Sequence, residues 1–217
     1  MFQHHLHTSF FNNMGKCIRL AITGGIGSGK SVVSRMLDIM GVPVYDCDTR
    51  AKEMMVHDTL VVAELKRMFG EECYNEDGSL NRNYIASCIF TDKENIKRVN
   101  GLVHPLIKAD FNRWACEQNV PLVAVETAIL YESGMIDAVD KVLVVWAGRE
   151  TAIERTMARS GMSRVQVESR MDNQMSADDL LLLSDYSICN DKGIPVMGQL
   201  VSLLEELKNI SNFAVTD

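Results

Sequence analysis

The 217 residues are 47% hydrophobic and 24% charged, which suits one sizeable buried core and leaves little length for several. Lys and Arg number 22 against 29 Asp and Glu, a formal net charge of -7 with no basic run to track a phosphodiester backbone, so no nucleic-acid partner is expected. The longest apolar stretches, residues 142–147 and 180–183, fall far short of the roughly 18 residues that a membrane span requires, so no membrane partner is expected either.

Residues 1–16 read as a disordered leader. MFQHHLHTSFFNN lacks the basic start and apolar centre of a secretory signal, Met14 offers an alternative start, and nothing around His4, His5 and His7 would fix a metal geometry. Six cysteines, at 17, 47, 73, 88, 116 and 189, lie outside metal-ligand spacings and partly inside apolar runs, as in a reduced, cytoplasmic chain. Short apolar, largely β-branched runs predict five strands at Cys17–Thr23, Val42–Asp46, Pro121–Glu126, Lys141–Ala147 and Tyr186–Asn190. Helical patterns fall between them at Lys30–Met40, Thr49–Val56, Glu150–Ser160 and Gln199–Asn209. This alternation predicts an α/β fold of three α/β/α layers, a five-stranded parallel sheet covered by helices on both faces, built from residues 17–59 and 119–212. About seventy residues separate the second strand from the third, too many for one crossover, so residues 60–118 read as an inserted helical subdomain. Residues 155–179 are rich in charge and poor in apolar side chains, with a capping box at Ser163 and Gln166, and read as a mobile lid.

The most informative segment is GGIGSGKS, Gly24 to Ser31, which satisfies G-x-x-x-x-G-K-[ST] between an apolar strand and an amphipathic helix. Glycines let the backbone curl so that its N–H groups form an anion nest, to which the following helix adds the positive end of its dipole. The candidate ATP ligands are therefore Gly25, Gly27, Ser28, Gly29, Lys30, Ser31 and Val32. Lys30 supplies a point charge for the β- and γ-phosphates, the Ser31 hydroxyl is placed to ligate Mg²⁺, and Val32 offers only its N–H.

A guanine-specific switch would carry N-K-x-D late in the chain, and Asn190-Asp191-Lys192-Gly193 does not fit. Small size, an inserted subdomain and an arginine-bearing lid (Arg155, Arg159, Arg164) suit a kinase, which must keep water from the phosphoryl group. The acceptor belongs at the carboxyl end of the neighbouring strand, which closes in Asp46-Cys47-Asp48. If Asp46 completes the strand, alternation turns Asp46 and Asp48 to one side and Cys47 away, giving one carboxylate for the proton of the acceptor hydroxyl and another for the metal or its waters. The alternative is that Asp48 caps the following helix.

These motifs, with Gly78-x-Leu80-x-Arg82, Ile89-Phe90, His104-Pro105-Leu106-Ile107, Ile129-Leu130-Tyr131-Glu132 and Arg159 with Gln174, make the chain resemble the dephospho-coenzyme A kinases from about Arg19 to Leu207. The resemblance implies a P-loop kinase that passes the γ-phosphoryl group of ATP to the 3'-hydroxyl of dephospho-coenzyme A, the last step of coenzyme A synthesis, with Mg²⁺ as cofactor. It implies Asp48 as the base, Lys30 and Arg159 as further catalytic residues and Arg155 as an ATP ligand. Asp46, Arg82, His104 and Glu132 fall on the acceptor side, although His104 before Pro105 also suits a helix boundary, and Glu132 also suits pairing with an arginine. The chain departs from the family pattern at Cys47 and Ala128, where Ala and Pro are usual, and at Glu126, where Asp often stands. Another small-molecule kinase, or a nucleotide-dependent switch, is the alternative that the motif alone leaves open.

Overall fold

The computed structural model describes residues 17–213, so the leader and its three histidines lie outside the described residues. Five strands, β1 (Ile18–Thr23), β2 (Val44–Asp46), β3 (Leu122–Glu126), β4 (Lys141–Trp146) and β5 (Tyr186–Cys189), form an all-parallel sheet in the order β2-β3-β1-β4-β5. The second strand is shorter than its apolar run suggests. Pro43 has no N–H to give and uses only its carbonyl, which accepts from Ala124, while Val42 turns its N–H back to Leu37.

Alternation along the strands feeds two cores. On one face, Leu20, Ile22, Ala124, Leu143 and Val145 pack against Val33 and Leu37 of α1 (Lys30–Ile39) and Leu200 and Leu207 of α9 (Val196–Phe213). On the other, Ala21, Val123, Val125 and Val144 meet Val103, Ile107, Phe111 and Ala115 of α5 (Lys93–Glu117), with α2 (Cys47–His57) beside it. The insertion has its own small core of Val61, Leu65, Phe69, Cys73 and Ile85, drawn from α3 (Thr59–Phe69), a 3₁₀ turn (Glu71–Cys73) and α4 (Arg82–Thr91).

Residues 60–118 are not separable from the sheet, because α5 serves both cores. Leu102 and Leu106 pack on the insertion, while Val103, Ile107 and Phe111 pack on the sheet. Pro105 lies inside this 25-residue helix and not at its boundary, where it withholds the bond that the Gly101 carbonyl would otherwise accept. Beyond β4, residues 155–160 continue α6 (Arg149–Ser160), whose buried face is Thr151, Ala152, Ile153 and Thr156. After Gly161 the chain continues in α7 (Arg164–Met171), started by the expected capping box, and α8 (Ala177–Leu182), whose Leu180 returns to the core.

One polar network ties β2 to α5. The Tyr45 hydroxyl donates to Asp110 Oδ2 at 2.7 Å, Arg50 Nη2 and Nε donate to the same oxygen at 2.7 and 3.1 Å, and Arg113 donates to Oδ1. Tyr45 also meets Phe111 and Trp114 with ring centroids 5.4 Å away in each case. Burial raises the Asp110 pKa, but these hydrogen bonds and the charges of Arg50 and Arg113 outweigh it and hold the carboxyl below its ordinary value of 3.8. An acid depressed in the folded state stabilises the fold above its unfolded pKa, and that contribution disappears as pH falls through the folded value. Asp110→Asn is therefore expected to cost about 2 kcal/mol at pH 7. In melting experiments across pH, the gap to the wild type should hold down to about pH 5 and close below about pH 4.

Candidate active site

The loop between β1 and α1 is shaped by contacts that leave no room for side chains. Gly27 has φ 77, and a Cβ there would stand 2.2 Å from the Ala152 carbonyl of α6 and 2.7 Å from Thr156 Oγ1. Gly29, the N-cap of α1, has φ 89, and its Cβ would meet Asn190 Nδ2 at 2.1 Å. Asn190 Nδ2 donates to the Ser28 carbonyl at 2.9 Å, so the end of β5 braces the loop. The Ser28 hydroxyl is buried and has no hydrogen-bond partner.

Lys30 folds over the loop, Nζ donating to the Gly24 and Gly25 carbonyls at 2.6 and 3.2 Å. Burial pushes its ammonium below the ordinary 10.5, against the pull of Glu126 and Asp48, while Arg159 pushes the same way as burial. The structure thus brings Lys30, Asp48 and Arg159 into one electrostatic neighbourhood and adds Glu126 at the end of β3. Arg159 has no carboxylate partner among the described residues, whereas Arg164 is taken up by Glu150 and Glu168. Arg155 donates to the Asn190 carbonyl at 2.7 Å, beside the loop after β5. Ser31 is exposed in the first turn of α1, and the Val32 N–H is bonded to the Gly29 carbonyl at 3.0 Å.

The alternation drawn for Asp46-Cys47-Asp48 fails, because α2 already begins at Cys47 and Asp48 lies in its first turn. The cap is Asp46. Its Oδ1 accepts from the N–H groups of Asp48 and Thr49 at 2.9 and 3.1 Å, and its Oδ2 from the Thr49 hydroxyl at 2.6 Å. Asp46 is thus occupied as a cap, where an acceptor ligand was expected, while the exposed Asp48 makes no side-chain hydrogen bond among the described residues. Cys47 is buried, its thiol pushed up to about 12 by desolvation and by the surrounding carboxylates.

Asp48 opens onto a cavity of about 150 Å³ whose wall also includes His104, Asn100, Thr127, Ile129 and Met135. His104 is half-buried in the interior of α5, and desolvation lowers its pKa from 6.5, which keeps the imidazole neutral at pH 7. Arg82, the exposed first residue of α4, does not line this cavity. Neither does Glu132, which is exposed in the turn before Met135 and pairs with no arginine among the described residues. A second cavity, of about 610 Å³, lies between Gly25 and Ile26 of the loop, Trp146 at the end of β4 and Arg149 at the start of α6, and Gln174 and Leu180 beyond α7.

Among the described residues there is no cluster of His, Cys, Asp and Glu able to hold a metal ion unaided, and no helix long and apolar enough to cross a membrane. The donors near the loop are oxygens, the Ser31 hydroxyl and the carboxylates of Asp48 and Glu126. Such a set fits a hard cation that keeps waters and takes phosphate oxygens as ligands.

The dephospho-CoA kinase family matches this chain over residues 18–195. The chain belongs to the dephospho-CoA kinase family. A dephospho-CoA kinase of Porphyromonas gingivalis is 39% identical over 192 residues, covering 88% of this chain and 95% of the relative. That of Bacteroides fragilis is 37% identical over 188 residues, covering 86% and 91%. A Thermus thermophilus crystal structure superposes with a TM-score of 0.77 at 33% identity, over 88% of this chain and 98% of its own. The dephospho-CoA kinase of Campylobacter jejuni shares the fold, with a TM-score of 0.64 at 21% identity over 89% and 97%.

For this dephospho-CoA kinase family member, the contacts of Glu126, Thr127, Asn190 and Gln174 with the site came from the fold. Glu126 and Asn190 each close an expected strand, which puts them at a carboxyl end of the sheet without naming their contacts, and β5 itself stops one residue earlier, at Cys189. The glycines make a contrast that melting and ATP titration can read. Gly25 has no positive φ, and a Cβ there meets nothing closer than Gln174 Oε1 at 3.9 Å. Gly25→Ala should stay within about 0.5 kcal/mol of wild-type stability and bind ATP, whereas Gly27→Ala should lose about 3 kcal/mol and its ATP affinity.

Proposed function

We propose that this chain transfers the γ-phosphoryl group of ATP to the 3'-hydroxyl of the ribose of dephospho-coenzyme A, with ATP taken as its magnesium complex. The observation that carries this reading is the position of Asp48. Its unoccupied carboxylate shares an electrostatic neighbourhood with Lys30 on one side and a cavity with His104 on the other, so it stands between phosphate loop and acceptor space.

In this reading the hydroxyl proton passes to the Asp48 carboxylate, the hydroxyl oxygen bonds to the γ-phosphorus, and the bond from that phosphorus to the β–γ bridging oxygen breaks, releasing ADP. Lys30 leaves the Gly24 and Gly25 carbonyls to follow the transferring charge, and Arg159, unpaired by any carboxylate among the described residues, adds positive charge from α6. The backbone N–H groups of Gly27 to Ser31 cradle the phosphates, and Arg155 serves the nucleotide from beside the loop after β5. Ser31 and the nearby carboxylates would hold Mg²⁺, whose chemistry there is to neutralise charge on the β- and γ-phosphate oxygens. Neutral His104 offers the acceptor a hydrogen bond, Arg82, exposed at the start of α4, serves its phosphates, and Glu132 flanks the cavity through its neighbours Ile129 and Ser133. Residues beyond Gly161 act as the lid that excludes water.

A coupled assay should show ATP turnover with dephospho-coenzyme A and little with adenosine, nucleoside monophosphates or no acceptor. Equal turnover with all of them would refute the reading. Lys30→Ala should leave less than about a tenth of wild-type kcat in a folded protein, a loss exceeding roughly 1.4 kcal/mol. Because Asp46 supplies the cap, Asp48→Asn should keep the melting temperature and ATP affinity while kcat falls by roughly 10² to 10⁴. Near wild-type turnover in that variant would remove Asp48 from the chemistry.

A further inference from the structure

The phosphate loop is braced from three sides. Two are α6 against Gly27 and Asn190 against Gly29 and Ser28. The third comes from the turn between α7 and α8, where Gln174 Oε1 accepts the Ile26 N–H at 2.9 Å across 148 residues of sequence. A main-chain N–H only donates, so the geometry assigns the amide oxygen, not the nitrogen, to this contact. Ile26 sits at the bend between Gly25 and Gly27, and no main-chain carbonyl takes its N–H. Gln174 is therefore its only hydrogen-bond partner among the described residues.

The segment that carries Gln174 is otherwise held by the buried Val167 and Leu180, and by Arg164, which donates to the two Glu150 oxygens at 2.9 and 2.6 Å, while Asp172 stands 3.7 Å from Arg149 in a pair exposed on both sides that contributes little. Gln174 and Ile26 face one another across two walls of the 610 Å³ cavity, so their hydrogen bond spans the space between loop and lid.

We propose that Gln174 is a positioning residue for nucleotide binding. Its amide oxygen pins Ile26, and the loop keeps the curl that leaves the N–H groups of Gly27, Gly29, Lys30 and Ser31 for a phosphate. Docking of residues 162–176 and ordering of the loop thereby become one event. This rests on the nucleotide-binding reading above and extends it from the loop to the segment that covers it. A docked segment orders the loop before ATP arrives, which spares the ligand that cost, and by linkage bound ATP holds the segment down.

The test compares Gln174→Leu and Gln174→Met, which fill similar space without an acceptor oxygen, with Gln174→Glu, which keeps one. Amide exchange of residues 24–28 is read in the free protein, and ATP affinity is measured for Leu and Met without acceptor. Loss of one hydrogen bond corresponds to about a two- to tenfold change. Leu and Met should each speed exchange in the loop and weaken ATP binding by that factor, with a melting temperature close to wild type. Glu should retain the loop's protection. Wild-type exchange and ATP affinity in the Leu and Met variants would overturn the proposal, and so would exchange in the Glu variant as fast as theirs. The exchange measurement uses no substrate and so tests Gln174 alone, while the assay with dephospho-coenzyme A on the wild type tests the reaction alone.

Discussion

A chain with net charge -7 that holds a polyphosphate must gather its positive potential from main-chain N–H groups and a few placed cations. The backbone of residues 24–29 can do so only while curled, and the curl leaves no room for a Cβ at Gly27 or Gly29. Every element near the loop answers to this. α6 presents the Ala152 carbonyl to Gly27, Asn190 reaches over from β5, Gln174 takes the Ile26 N–H, and Lys30 is stowed on the loop's own carbonyls. The parallel sheet makes the arrangement possible, since it brings the carboxyl ends of β1, β3 and β2 to one edge in register.

The same edge divides labour between two aspartates two residues apart. Asp46 ends β2 and gives both carboxylate oxygens to capping α2, which leaves Asp48 in the first helical turn with its carboxylate uncommitted. Its aim depends on where β2 and α2 sit relative to α5, and the buried Asp110, gripping Tyr45 and Arg50, sets that relation. α5 in turn carries His104, so one helix places a cavity residue and anchors the strand that delivers the carboxylate. A buried carboxylate with several hydrogen bonds is costly to disturb, which suits it to holding one geometry.

The sheet, the order of its elements and the phosphate loop were legible because each is written in local periodicity or a contiguous motif. The strand ends at Asp46 as its pattern predicts, but the next helix starts at Cys47 and not at Thr49, because Asp46 caps it directly and no periodic pattern marks a junction without a linking residue. Pro105 reads as a boundary residue in sequence, yet a long helix packed along two cores absorbs one missing hydrogen bond. Gln174 and Asn190 find the loop across 148 and 162 residues, a separation at which no local pattern carries information. Glu132 illustrates the reverse, since a family motif position turned out to be exposed beside the cavity whose wall its neighbours form.

The central claim is that this edge directs a phosphoryl group to an acceptor hydroxyl and away from water. Phosphorus NMR of a mixture of the protein, magnesium-ATP and dephospho-coenzyme A follows that group directly. A new phosphomonoester resonance from the 3'-position should grow in step with ADP and be absent when the acceptor is left out. Inorganic phosphate appearing at the same rate with and without dephospho-coenzyme A would contradict it.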